Sequence, residues 1–190
     1  MNSNASENRS DGEILDFLKR AHGVGWPQGV TPTTKRELPG FSDVLFAEGE
    51  WSYHDLFGGA TADIGFEVIF FSGEPVWGIA YRGGVTGLDP VADDVFAFLV
   101  EAMRAPNDMS LPLRGPGEYI RNDWCYRYRV HGGVSSFLGV ERIYYRGVLC
   151  YERLQVGGRF GDHALYGTPI DLSYCSLDHL PIDCQSKGAS

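Results

Sequence analysis

Glu67 and Glu141 are the residues from which chemistry can first be read. Each sits third in a glycine-led stretch, GFEVIFFSGEPVWGIAYRGG at 65–84 and GVERIYYRGVLCYERLQVGG at 139–158. In strand geometry Glu67 shares a face with Ile69 and Phe71, and Glu141 with Ile143 and Tyr145. A carboxylate on so apolar a face must be ion-paired, hydrogen-bonded or protonated. Two such carboxylates brought together could hold a cation or work as an acid/base pair, as in glycoside hydrolysis. Alternatively each pairs with a nearby arginine or accepts from loop N–H groups. Hairpin register decides which residue faces the glutamate. A three-residue loop puts Arg153 opposite Glu141, and a two-residue loop puts Glu152 there.

Aromatic side chains come next: Trp51, Trp77, Tyr81, Trp124, Tyr144 and Tyr151. With a two-residue turn, Trp77 and Tyr151 lie on the face opposite the glutamates. They would form the walls of a small-molecule cleft or, in the plainer reading, a core. Arg114, stiffened between Pro112 and Pro116, could be held ready for a carboxylate or phosphate, or could bond to Glu118. Arg127, Arg129, Arg142 and Arg153 could make an anion-binding stripe or a solvated sheet face. Cys175, His179 and Cys184, with His163 as a fourth group, have metal-ligand types, but their spacing fits no standard zinc site and no metal is assigned. No P-loop, G-x-G-x-x-G, G-x-S-x-G or H-E-x-x-H motif occurs, so neither a catalytic residue nor a cofactor is assigned.

The two stretches align without a gap at an offset of 74, with six identities in twenty, four of them glycine. Gly58-Gly59 meets Gly132-Gly133 at the same offset. Internal similarity of this kind points to a duplicated unit. Each unit reads as three strands, 50–57, 64–71 and 75–82, then 124–131, 138–145 and 149–156. Tight turns are expected at Ser72-Gly73 and Arg146-Gly147. A helix precedes each unit. Ser10 to Glu13 forms a capping box, followed by an apolar stripe of Ile14, Leu15, Leu18 and Ala21. The second helix is expected to open at Asp89-Pro90 and to turn Val95, Phe98, Leu99 and Ala102 inward. Residues 22–45 and 105–121 read as Gly/Pro-rich loops.

The expected fold is therefore α+β, a tandem αβββ–αβββ repeat. Its antiparallel sheet has about six strands, two helices on one face and pseudo-two-fold symmetry, with a partly closed barrel as the alternative. Its parts are a disordered N-terminus (1–9), a single duplicated domain (10–160, repeats 10–85 and 89–160) and a C-terminal extension (161–190).

Charge excludes some functions. The formal net charge is −9. Residues 1–110 hold 17 acidic and 7 basic groups, whereas residues 111–190 hold 8 and 9. Direct nucleic-acid binding needs phosphate neutralisation and is not expected, whereas a basic protein partner is compatible. No apolar run is long enough to cross a membrane as a helix, and the polar N-terminus lacks secretory-signal character, so a cytoplasmic location is expected. Asn4 and Asn8 match the glycosylation pattern without such a signal. Four cysteines without a C-x-x-C pair fit a reducing compartment.

The order WSYHDLFGG, FSGEPVWGIAYRGG, RGPGEY and FLGVERIYYRGVLCYE, over residues 12–160, resembles the DUF5680 family of uncharacterised bacterial domains. Members of that family occur alone or behind an XRE-type helix-turn-helix. The resemblance implies a small binding or sensor-like domain and carries no reaction. No helix-turn-helix motif is present here, and Val156 stands where family members often have a histidine.

The leading expectation is a domain that binds a small aromatic or cationic molecule in a cleft between the repeats. Trp51, Trp77, Tyr81 and Tyr151 would form its walls, with Glu67, Glu141 and Arg114 as polar anchors. The alternatives are a hydrolase using the paired glutamates and an acidic interaction module of antitoxin or immunity type.

Overall fold

The computed structural model describes residues 9–24, 38–87, 90–109 and 111–161. A helix, α1 (Asp11–Val24), leads into four strands: β1 (Ser42–Glu48), β2 (Trp51–Gly59), β3 (Ala62–Phe71) and β4 (Glu74–Val85). A second helix, α2 (Ala92–Arg104), leads into β5 (Glu118–Arg121), β6 (Trp124–Gly133), β7 (Ser136–Tyr145) and β8 (Val148–Arg159). All eight strands form one antiparallel sheet in the order β1-β2-β3-β4-β8-β7-β6-β5. β4 and β8 meet at the centre.

This overturns the expected αβββ–αβββ repeat with six strands. Each helix is followed by four strands, because β5 forms inside the segment read as a loop at 105–121 and β1 begins inside the one at 22–45 and runs on to Glu48. Both are short edge strands, seven and four residues long, paired on one side only. The barrel alternative fails as well, since β1 and β5 leave the sheet open at both ends.

α1 starts at the capping box. The Glu13 amide donates to Ser10 Oγ at 3.2 Å, and the Ser10 amide donates to Glu13 at 2.8 Å. Ile14, Phe17, Leu18 and Ala21 are buried along one stripe. The helix runs through His22 to Val24, into the segment read as a loop. α2 begins at Ala92, after an N-cap at Val91 that offers no side-chain acceptor, rather than at Pro90, and Asp89 lies outside the described residues. Val95, Phe98, Leu99 and Ala102 are buried.

A bulge sets the register. In the β7–β8 hairpin Tyr144 pairs with Leu149, but Ile143 pairs with Tyr151, so Cys150 is the extra residue. The β3–β4 hairpin does the same, with Val76 extra between Phe70↔Pro75 and Ile69↔Trp77. The turns themselves are two-residue, with positive φ at Ser72 and Gly73 and again at Arg146 and Gly147. The bulge shifts the strand by one and flips every later side chain. Arg153 therefore faces Glu141 across a two-residue turn, and Trp77 and Tyr151 share the glutamates' face instead of the opposite one.

The helices cover this inner face. Phe17 stacks on Trp51 at 5.2 Å and Phe98 on Trp124 at 5.1 Å. The outer face of the sheet is different. Among the described residues no helix lies on it, and Ile64, Phe66, Leu154 and Val156 are exposed. The correspondence of the strands also needs a gap. Trp51 pairs with Phe71 and Trp124 with Tyr145, so β2 and β6 correspond at an offset of 73 while β3 and β7 keep 74. Gly59 thus matches Gly132, and both adopt positive φ where a Cβ would strike a backbone carbonyl.

Candidate functional site

Two charged clusters lie beneath the helices, one around each glutamate. Glu141 is fully buried on β7. Arg114, in the segment between α2 and β5, donates to it through Nε and Nη2, each at 3.2 Å. Tyr126 donates at 2.8 Å and Tyr151 at 3.3 Å. Burial pushes the Glu141 carboxyl up, but Arg114, then Arg153 and these donors outweigh it and hold the group below its ordinary value. Burial works against the Arg114 guanidinium too, and Glu141 outweighs it, so the charge stays. This is a closed ion pair with its acceptors filled.

Glu67 on β3 is also buried, but its partner comes from α1. His22 Nε2 lies 2.8 Å from its Oε2. His22 stands four residues after Leu18 and eight after Ile14, so it lies on the buried stripe in the helix's last turn. Its ring meets Tyr53 edge-on, and the Tyr53 hydroxyl also hydrogen-bonds to Glu67. Burial raises Glu67, while His22, Arg114 and Arg153 more than offset that, leaving it below its ordinary value. Beside it, Asp55 on β2 accepts from the Tyr81 hydroxyl at 2.7 Å. Burial and the nearby Glu67 charge push the Asp55 carboxyl up to about 7. Arg153 pairs with Asp63 at 2.5 Å and lies over the Tyr81 ring at 4.5 Å. Its Nε and Asp63 Oδ1 are buried without a protein partner.

A cavity of about 20 Å³ lies among His22, Tyr53, Asp55, Glu67, Tyr81 and Arg153. That is room for one water molecule. Above it, an open groove of about 380 Å³ runs between the C-terminal ends of α1 and α2, past Lys19, His22, Met103, Arg104, Pro112 and Arg114. His22, Met103 and Arg114 line both spaces.

The residues singled out in the sequence are thus divided. Glu67 and Tyr81 line the cavity, and Arg114 lines cavity and groove. Glu141 and Tyr151 belong to the closed ion pair. Trp77 is fully buried, stacked on Phe137, its indole N–H donating to the Val134 carbonyl at 2.8 Å. Trp51 packs between Phe17 and Phe71. The four arginines form no stripe: Arg127 pairs with Glu118 and Arg142 with Glu152, Arg129 donates to the Gly117 carbonyl, and Arg153 is inside. Arg114 bonds to Glu141 rather than Glu118. Cys175, His179, Cys184 and His163 lie outside the described residues, and among those described no three acidic, His or Cys side chains are arranged to hold a metal.

Sequence reasoning missed His22, Asp55, Asp63 and Met103. The histidine had a signal, its place on the apolar stripe of α1. Asp55 had a weaker one: it alternates with Trp51 and Tyr53 on one strand face.

No helix among the described residues is long and apolar enough to cross a membrane. No curated protein and no solved structure matches the chain. The model of the family described as Domain of unknown function (DUF5680) matches residues 55–160, a span that holds Glu67, Arg114 and Glu141 and begins after His22. Since that span is more than half of the sequence, the chain belongs to the DUF5680 family.

Proposed function

We propose that this chain is a small-molecule-binding domain whose site is the groove between the C-terminal ends of α1 and α2. The observation that carries this reading is the sharing of His22, Met103 and Arg114 by groove and cavity. An open concavity of about 380 Å³ thereby meets a buried charged cluster, the combination of apolar wall and few convergent polar groups that ligand sites have. The site differs from the aromatic cleft expected from the sequence, because Trp51 and Trp77 are held in the core.

A hydrolase built on paired glutamates draws less support from this geometry, since Glu141 has no lone pair facing an open space and is bound to Arg114. An acidic interaction module has only the net charge behind it. The cytoplasm is the proposed compartment, and the buried thiol of Cys150, which donates to the Ile143 carbonyl, fits it.

A thermal-shift screen of small metabolites tests the reading. At least one compound should raise the melting temperature of the wild-type chain, and Met103→Trp, which fills the groove, should remove that response. A screen at millimolar concentration without any shift, or a shift that survives Met103→Trp, would overturn it.

A further inference from the structure

The groove's charge runs against that of the chain. The protein carries a net charge of −9, yet the groove is lined by Lys19, His22, Arg104 and Arg114 and by no Asp or Glu. Part of this basicity has a structural reason. Both helices end here, and each C-terminus brings about half a negative charge, which a basic group in the last turn offsets. His22 and Arg104 occupy those last turns. Lys19 and Arg114 do not, so they are cations beyond what the helix ends call for. Arg114 is fixed from behind: Glu141 takes Nε and Nη2, which leaves Nη1 as the nitrogen outside that pair. His22 is likewise held from behind by Glu67. Buried carboxylates that orient donors toward an open space preorganise a receptor for negative charge. Met103 and Pro112 supply apolar wall beside them.

We infer that the ligand of this groove is a small organic anion, its carboxylate or phosphate at Arg114 and Lys19 and its compact apolar body on Met103 and Pro112. The inference rests on the groove being the ligand site. The ligand expected from the sequence is an aromatic or cationic molecule; an anion is favoured over a cation here because no Asp or Glu lines the groove.

The test compares probes that share one ring and differ in charge: benzoate, phenyl phosphate, benzyl alcohol and benzylamine. Backbone amide shifts of the full chain are followed at residues 19–23, 103–107 and 113–115. Benzoate and phenyl phosphate should move these amides, the alcohol less and the amine least. Lys19→Glu, at an exposed position, should weaken benzoate roughly tenfold. If the two anions differ, the tighter one identifies the head group. Equal binding of all four, or preference for benzylamine, overturns the anion inference and leaves the groove as a site. If no probe moves the groove amides, both readings fall.

Discussion

The two halves of the sheet place the same residue, glutamate, at the same strand position and use it differently. Glu67 and Glu141 lie on β3 and β7, each two residues before the isoleucine at which the bulged hairpin shifts register. Each faces a tyrosine-bearing strand, and each lies under a helix whose phenylalanine stacks on a tryptophan. Around Glu141 the partners are an arginine fork and two phenols, all buried. Around Glu67 the partners are a half-buried histidine and the Tyr53 phenol, with a second carboxylate, Asp55, where the other half has Tyr128. The polar pair one position on is inverted too: Tyr81 donates to Asp55 in one half, and Tyr128 donates to Gln155 in the other. In one half the carboxylate is neutralised and sealed, and only its partner Arg114 reaches the groove. The other holds excess negative charge against a cavity and opens past His22 to solvent. The same backbone frame can therefore host a structural ion pair or a candidate site, and the identity of two or three partners decides which.

The sharpest way to break this comparison is to remove the sealed carboxylate. Glu141→Ala strands Arg114 in the interior and should cost about 3–5 kcal/mol in a denaturant titration. A cost under 1 kcal/mol would mean that the pair is solvated.

The helix contacts should behave alike in the two halves. Phe17→Ala and Phe98→Ala each remove a ring stacked on a tryptophan, and each should cost about 3 kcal/mol. A large inequality would show that one helix is only loosely docked.

Asp55 gives a pH signature that the second half lacks. Its folded carboxyl sits at about 7 against an ordinary 3.8, so the folded state binds the proton more tightly than the unfolded state. Its effect is therefore to make stability fall as pH rises from 3.8 toward 7, opposite to that of Glu67 and Glu141, whose lowered values stabilise above their ordinary range. Asp55→Asn should remove this component and raise stability at pH 8 by about 1 kcal/mol or more, read from melts across pH. An unchanged pH profile would contradict the assignment.

The smallest expected effects are at the caps. Ser10→Ala should cost about 1 kcal/mol by breaking the capping box of α1, while Val91→Ser should gain several tenths at the uncapped α2.

Much of this frame could be read from the sequence, and the losses have physical causes. The glycine-punctuated hairpins and the helical stripes are strong local signals. β1 and β5 were missed because an edge strand needs only one partner and can be short and irregular. The bulges at Val76 and Cys150 were missed because an extra residue leaves no compositional mark, yet they decide which side chains share a face. Glu67, Glu141 and Arg114 stood out by type. Their partners did not: His22 and Asp55 reach Glu67 from other elements, and only the tertiary fold brings them together. Gly65 and Gly139 fall inside the strands expected at 64–71 and 138–145, where nothing local explains a glycine. The fold supplies the reason: a Cβ there would strike the Tyr81 ring or the Tyr128 hydroxyl.

The central claim is that Glu67 serves the site alone, whereas Glu141 first holds the scaffold together and reaches the site only through Arg114. The most direct measurement sets Glu67→Gln beside Glu141→Gln, recording for each the denaturation midpoint and the binding of benzoate. The account predicts that Glu141→Gln lowers the midpoint strongly, whereas Glu67→Gln leaves stability within about 1 kcal/mol and weakens benzoate by releasing His22 from its fixed position. Equal destabilisation by both variants, with benzoate binding untouched by Glu67→Gln, would contradict it.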